Sequence, residues 1–150
     1  MEGVRKVNRV DESWQQLIVA AKQAMERAYV PYSRFQVGAA LRTTTGEIVT
    51  GCNIENASYG LTNCAERTAL FRAYAQGSRD FTAMVVVARS DGPVSPCGAC
   101  RQVILELYPR GAPILLTNMN DDFLWTTSDK LLPHGFKDFP GSPLVSEKRV

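Results

Sequence analysis

Cys97 and Cys100, in Pro96-Cys97-Gly98-Ala99-Cys100, are three residues apart, so at a helix start their side chains lie on one face and can grip one ion. Cys64, in Asn63-Cys64-Ala65-Glu66, opens another helical pattern 33 residues upstream of Cys97, with helix and then buried strand between them. A right-handed β–α–β arrangement lets both helices begin at the same end of a sheet. Helix N-termini carry unpaired N–H groups and a positive dipole end, which favour thiolates there. Soft ligands with a tetrahedral preference suit zinc rather than magnesium or calcium. Three protein ligands leave one position for water, the pattern of a catalytic site.

Each residue also has a structural reading. Cys97-x-x-Cys100 alone fits a redox pair or half of a closed zinc site equally well. Asn63 and Glu66 have the spacing of a capping box. Cys52 would be the fourth ligand of a closed site, although its strand position suggests a small buried core residue. His134 is the sole histidine, which excludes a histidine pair, and its place between Pro133 and Gly135 gives it a surface role by default.

The elements that must position these residues are legible from periodicity. Residues 11–29 read as an amphipathic helix, with Trp14, Leu17, Ile18, Ala21, Met25 and Ala28 at three- and four-residue steps. Ser13 and Gln16 have the spacing of a capping box at its start, and Pro31 ends it. Residues 35–41 and 47–52 read as strands around the turn Thr43-Thr44-Thr45-Gly46. Residues 65–75 are helical, with Leu70, Phe71 and Tyr74 on the apolar side. Residues 83–88 are continuously apolar, the pattern of a strand buried on both faces. A helix over 100–108, a buried strand over 113–117, a short edge strand over 123–127 and a helical turn over 128–132 follow. This order predicts a three-layer α/β/α sandwich on a mixed sheet of about five strands. One domain over residues 1–140 is expected, with 141–150 a frayed tail.

The chain has 150 residues, 45% of them hydrophobic, enough for one core and too few for two ordinary domains. A net charge of +2 provides no basic field for polyphosphate, which argues against nucleic acid as a partner. No apolar run approaches the roughly 20 residues of a membrane-spanning helix. No secretory signal is visible, so a cytoplasmic protein is expected, and its four cysteines read as ligands or thiols rather than disulfides.

Cys-Ala-Glu at one helix start and Pro-Cys-Gly-Ala-Cys at another form the zinc-deaminase signature. The likeness extends further. Asn53-Ile54-Glu55-Asn56-Ala57-Ser58-Tyr59-Gly60, Cys64-Ala65-Glu66-Arg67-Thr68-Ala69 and Ser95-Pro96-Cys97-Gly98-Ala99-Cys100-Arg101-Gln102 resemble the short, homotetrameric cytidine deaminases. Pro31-Tyr32-Ser33-x-Phe35-x-Val37-Gly38 and Leu131-Leu132-Pro133-x-x-Phe136 do so too. The resemblance spans residues 12–140 in consistent order, with no departure at a position expected to bind metal or substrate. Cysteine at 64 separates the chain from the deoxycytidylate and transfer-RNA adenosine deaminases, which usually have histidine there.

The resemblance implies one zinc ion per subunit on Cys64, Cys97 and Cys100, with Glu66 as the catalytic proton shuttle. Three thiolates around a divalent ion leave a net −1, which the two helix N-termini and Arg67 offset; Arg67 is implied to hydrogen-bond the cysteine sulfurs. Glu66 would pass a proton to the cytosine N3 and later to the departing amine. The N–H of Ala65 would meet the pyrimidine carbonyl. Asn53 and Glu55, two apart in an extended segment, face the same way and would hold the ribose 3′-hydroxyl. Ile54, Asn56, Ala57 and Ser58 complete that substrate segment. Phe35 is expected to stack on the base. Phe136 and Tyr59 are expected to reach a neighbouring subunit's site, in a homotetramer acting on small nucleosides. The expected activity is deamination of cytidine and 2′-deoxycytidine in pyrimidine salvage. The competing readings are deamination of another aminopyrimidine such as blasticidin S, or a non-catalytic zinc module closed by Cys52.

Overall fold

The computed structural model describes residues 10–140, so the frayed tail expected over 141–150 lies outside the described residues. The elements are α1 (Glu12–Met25), β1 (Val37–Thr43), β2 (Ile48–Cys52), a 3-10 turn (Tyr59–Leu61), α2 (Ala65–Ala75), β3 (Phe81–Ala88), α3 (Gly98–Leu107), β4 (Ile114–Asn118), β5 (Phe123–Thr126) and α4 (Ser128–Leu131). The strands form a five-stranded sheet in the order β2-β1-β3-β4-β5. Among the described strands only β3 and β4 pair in parallel, joined through α3; the other three pairings are antiparallel. The mixed sheet is the one expected.

Alternation along β3 makes the three layers. Ala83, Val85 and Val87 face α1, where they meet Leu17, Ile18, Ala21 and Met25. Met84, Val86 and Ala88 face the opposite side and join Ala65, Ala69, Leu70 and Ala73 of α2 and Ile104 of α3. Two glycines let the helices press onto the sheet. A Cβ on Gly38 would lie 2.0 Å from the Ala21 carbonyl oxygen, and one on Gly51 would lie 2.4 Å from the Ala69 nitrogen. Gly51 thus seats α2 directly on β2 and sets how close the start of α2 comes to the sheet edge.

Several local expectations are corrected. α1 stops at Met25 rather than continuing to residue 29, because Tyr29 is drawn into a bridge with Ile54. There the Tyr29 N–H donates to the Asn53 carbonyl at 3.0 Å, and the Glu55 N–H donates to the Tyr29 carbonyl at 2.8 Å. Asp11, not Ser13, caps α1: its Oδ1 accepts from the Trp14 N–H at 3.0 Å, while the Ser13 hydroxyl donates to that same oxygen. Phe71 is on the outer side of α2 and 46% exposed, since small residues at 65, 69 and 73 already fill the buried stripe. α3 begins at Gly98, two residues earlier than its apolar pattern suggests, with Cys97 as its cap.

Candidate metal centre and active site

β1 runs antiparallel to both β2 and β3, so β2 and β3 point the same way. The helices that follow them, α2 and α3, therefore begin at the same end of the sheet. Cys64 caps α2 and Cys97 caps α3, both with extended backbone and neither using its side chain as a cap. The sulfurs are left free in front of two helix N-termini. Cys100 is the third residue of α3, the position whose side chain faces back toward the cap, so Cys97 and Cys100 share one face.

Their sulfurs and that of Cys64 all lie within 4.8 Å of one another, with Cys64 Sγ and Cys97 Sγ 3.8 Å apart. Tetrahedral zinc with Zn–S bonds of about 2.3 Å requires S···S separations of about 3.8 Å, so the donor set fits the ion in both chemistry and spacing. Among the described residues, Cys52 is not part of this group. It is half-buried at the end of β2 rather than a core residue, and alternation puts it on the face opposite Gly51, away from α2.

Glu66 follows Cys64 by two positions and is buried, turned inward from the first turn of α2. The Cys100 thiol donates to its Oε2 at 3.7 Å. The capping-box reading of Glu66 with Asn63 fails, because Cys64 rather than Asn63 caps α2; the Asn63 amide donates to the Thr68 hydroxyl at 3.0 Å. Burial, reinforced by the negative charge of Cys64, pushes the Glu66 carboxyl up to about 7. A carboxyl with that value exchanges a proton readily near neutrality. The Cys100 thiol, followed by the Arg67 guanidinium, stabilises the Cys64 thiolate and pulls Cys64 down, while the same contact holds Cys100 up. Arg67 donates from Nη2 to Cys64 Sγ at 3.3 Å, and its Nε is buried with no partner, which leaves the guanidinium further donor capacity beside the thiols.

A second group of expected residues lies along the segment between β2 and α2. Asn53 is buried, and its amide grips the loop before β1: Nδ2 donates to the Phe35 carbonyl and Oδ1 accepts from the Val37 N–H, both at 2.8 Å. Glu55 accepts on Oε1 from the N–H groups of Tyr32 and Ser33 at 3.0 and 3.1 Å. The two side chains face one way, as their spacing implies, and hold the loop that presents Phe35, 41% exposed. Ile54 pairs with Asn63 through two backbone hydrogen bonds of 2.9 Å, tying this segment to the residue before Cys64. Asn56, Ala57 and Ser58 are exposed, with the Asn56 side chain accepting from the Ser58 N–H at 2.8 Å. Tyr59 is exposed, and its ring meets Tyr32 edge-on at 6.2 Å. Ala65 is buried at the start of α2.

Phe136 stands apart from these. It is 59% exposed and its ring contacts that of Phe139, edge-on at 5.0 Å. His134 is exposed in a left-handed backbone conformation, φ 56°, a surface turn as expected. Arg101 and Gln102, part of the Ser95–Gln102 motif but given no role by it, both make long-range hydrogen bonds. Arg101 donates to the Pro96 and Leu131 carbonyls, both at 2.8 Å, and to the Ser95 hydroxyl at 2.6 Å. Gln102 donates to the Phe136 carbonyl at 2.6 Å. Their signal was position: polar side chains directly after a ligand, on the helix the ligand opens.

The chain is similar to known proteins in sequence and fold. Residues 11–115 match the family described as the cytidine and deoxycytidylate deaminase zinc-binding region. A cytidine deaminase of Halalkalibacterium halodurans is 59% identical over 122 residues, covering 81% of this chain and 92% of the relative. A blasticidin-S deaminase of Bacillus cereus is 36% identical over 129 residues, covering 79% of this chain and 91% of that protein. A crystal structure of cytidine deaminase from Burkholderia pseudomallei superposes with a TM-score of 0.80 at 56% identity, covering 81% of this chain and 98% of that one. The chain belongs to the zinc-binding cytidine and deoxycytidylate deaminase family.

Proposed function

We propose that the protein hydrolyses cytidine and 2′-deoxycytidine to the corresponding uridines and ammonia, in pyrimidine salvage. The observation that carries this reading is a buried carboxylate, Glu66, 3.7 Å from one sulfur of a three-thiol cluster. Cys64, Cys97 and Cys100 would hold zinc, which when bound would supply Lewis-acid activation of the attacking water. Glu66 takes a proton from the attacking water and gives it to the ring N3; it then takes the proton of the hydroxyl newly added at C4 and gives it to the amine as the C4–N bond breaks. A carboxyl at about 7 serves both directions, because neither protonation state is far from neutral pH. Arg67 offsets the charge of the thiolates, and the Ala65 N–H, at the start of α2, meets the pyrimidine carbonyl. Phe35 stacks on the base. Asn53 and Glu55 turn their remaining polar atoms toward the 3′-hydroxyl, with Ile54, Asn56, Ala57 and Ser58 shaping the segment around the sugar.

The same reading includes a homotetramer with shared sites, supported by aromatic side chains that find little cover within one chain. Tyr32, Tyr59, Phe136 and Phe139 are each more than half exposed. Phe136 and Tyr59 complete sites on neighbouring subunits. One domain over residues 1–140 is supported by a single sheet that carries every described strand. A cytoplasmic location suits a site built from reduced thiols, and no described helix is long and apolar enough to cross a membrane.

Loss of absorbance of cytidine and of 2′-deoxycytidine with the purified protein tests the activity, alongside cytosine, deoxycytidylate and blasticidin S. Turnover of both nucleosides well above the other three is expected. Preferential turnover of blasticidin S would replace this reading with that of the 36%-identical relative.

A further inference from the structure

The segment that carries Phe136 contains no strand or helix of its own. After α4 ends at Leu131 the chain runs to residue 140 without regular structure. Its attachment is to one face of α3, the helix that also carries Cys100. Gln102 and Leu105 are one turn apart on that face. A Cβ on Gly135 would lie 2.4 Å from Leu105 Cδ2, so the segment lies close against the Leu105 side chain of α3. Beside this contact, Gln102 Nε2 donates to the Phe136 carbonyl at 2.6 Å. Arg101, one residue earlier, holds the Leu131 carbonyl with Nη1 and the Pro96 carbonyl with Nε, both at 2.8 Å. The guanidinium thus joins the loop before Cys97 to the end of α4. The Phe136 backbone is pinned, while its ring, 59% exposed, projects free of its own subunit's core.

We propose that Gln102, supported by Arg101, is a positioning residue for Phe136, and that it acts on the base site of the neighbouring subunit rather than on its own. The inference rests on the proposed function, in which Phe136 walls a neighbour's site. It adds that the metal-bearing helix of one subunit sets the aromatic wall of the next. The Gln102 hydrogen bond ties the Phe136 carbonyl to α3, so its loss lets the ring shift, and substrate binding weakens while proton transfer at Glu66 continues. Gln102→Met keeps the side chain's length and removes the donor. KM is expected to rise roughly 2- to 10-fold, the range an ordinary hydrogen bond supports, with kcat and zinc content near those of the parent. Gln102→Glu, which aims an acceptor at the carbonyl, is the second variant and is expected to raise KM at least as far.

The deciding experiment mixes two inactive parents, Glu66→Gln and Phe136→Ala, after dissociation and reassociation. Recovered activity comes from sites that combine Glu66 of the second chain with Phe136 of the first. Adding Gln102→Met to the Glu66→Gln chain, which supplies Phe136, is expected to raise the KM of the recovered activity. Adding it to the Phe136→Ala chain, which supplies Glu66 and the metal site, is expected to leave KM unchanged. An equal effect in both positions, an effect only in the second, or none in either overturns the proposal while the shared site stands. No recovery from the parents despite proven subunit exchange removes the shared site itself, and the proposal with it.

Discussion

Asn53 holds the loop of Phe35 from two sides: its amide donates to the Phe35 carbonyl and accepts from the Val37 N–H, each at 2.8 Å. A residue expected to read the sugar is thereby also the latch of the aromatic loop. Asn53→Ala leaves a buried N–H and a neighbouring carbonyl without partners. A loss of about 2–4 kcal/mol in unfolding free energy is expected, at roughly 1–2 kcal/mol for each orphaned group. Urea denaturation measures it. An unchanged midpoint would mean that water replaces the amide, and that the latch contributes nothing to the fold.

Glu66→Gln keeps the shape of the side chain and removes its capacity to carry a proton. Zinc content is expected to stay at one per chain while kcat falls by about 10²–10⁴, the usual range for general acid–base catalysis. Metal analysis and steady-state rates on the same preparation check both halves. Near-normal turnover would leave Glu66 with no part in the chemistry.

The three sulfurs that lie within 4.8 Å of one another are expected to bind one zinc without help from Cys52. Cys52→Ala should retain the metal and the activity; Cys97→Ala should lose both. Loss of zinc in Cys52→Ala would make the centre a closed structural one.

Glu55 gives a pH signature. Burial alone would raise its carboxyl, but hydrogen bonds from the Ser33 hydroxyl and from the Ser33 and Tyr32 N–H groups outweigh burial and hold it below the usual 4.5. A group depressed in the folded state stabilises the fold above its unfolded value, and that stabilisation disappears as pH falls through the folded value. The stability gap between the parent and Glu55→Gln is therefore expected to be widest above pH 4.5 and to narrow below it. Thermal unfolding across that range measures the gap, and a pH-independent gap would contradict the assignment.

What the sequence by itself determined follows from short-range chemistry. The spacing of Cys97 and Cys100, the apolar run of β3 and the helix over Ala65–Ala75 are local patterns, and each is where the residues placed it. The family signature around Cys64, Cys97 and Cys100 identified the metal because ligand type and spacing are themselves the chemistry. Contacts over long separations were decided only in the tertiary structure. α1 ends at Met25 because Tyr29 finds backbone partners at Asn53 and Glu55, which no periodicity within the helix reveals. Phe71 turns outward because Ala65, Ala69 and Ala73 already pack against β2. Asn53 and Glu55 point the same way as alternation requires, yet the loop they hold is 16 to 23 residues away in the chain. The hold of Gln102 on Phe136 spans 34 residues. A side-chain amide can meet any exposed carbonyl, so its type names no partner; the packing of the segment on α3 selects one.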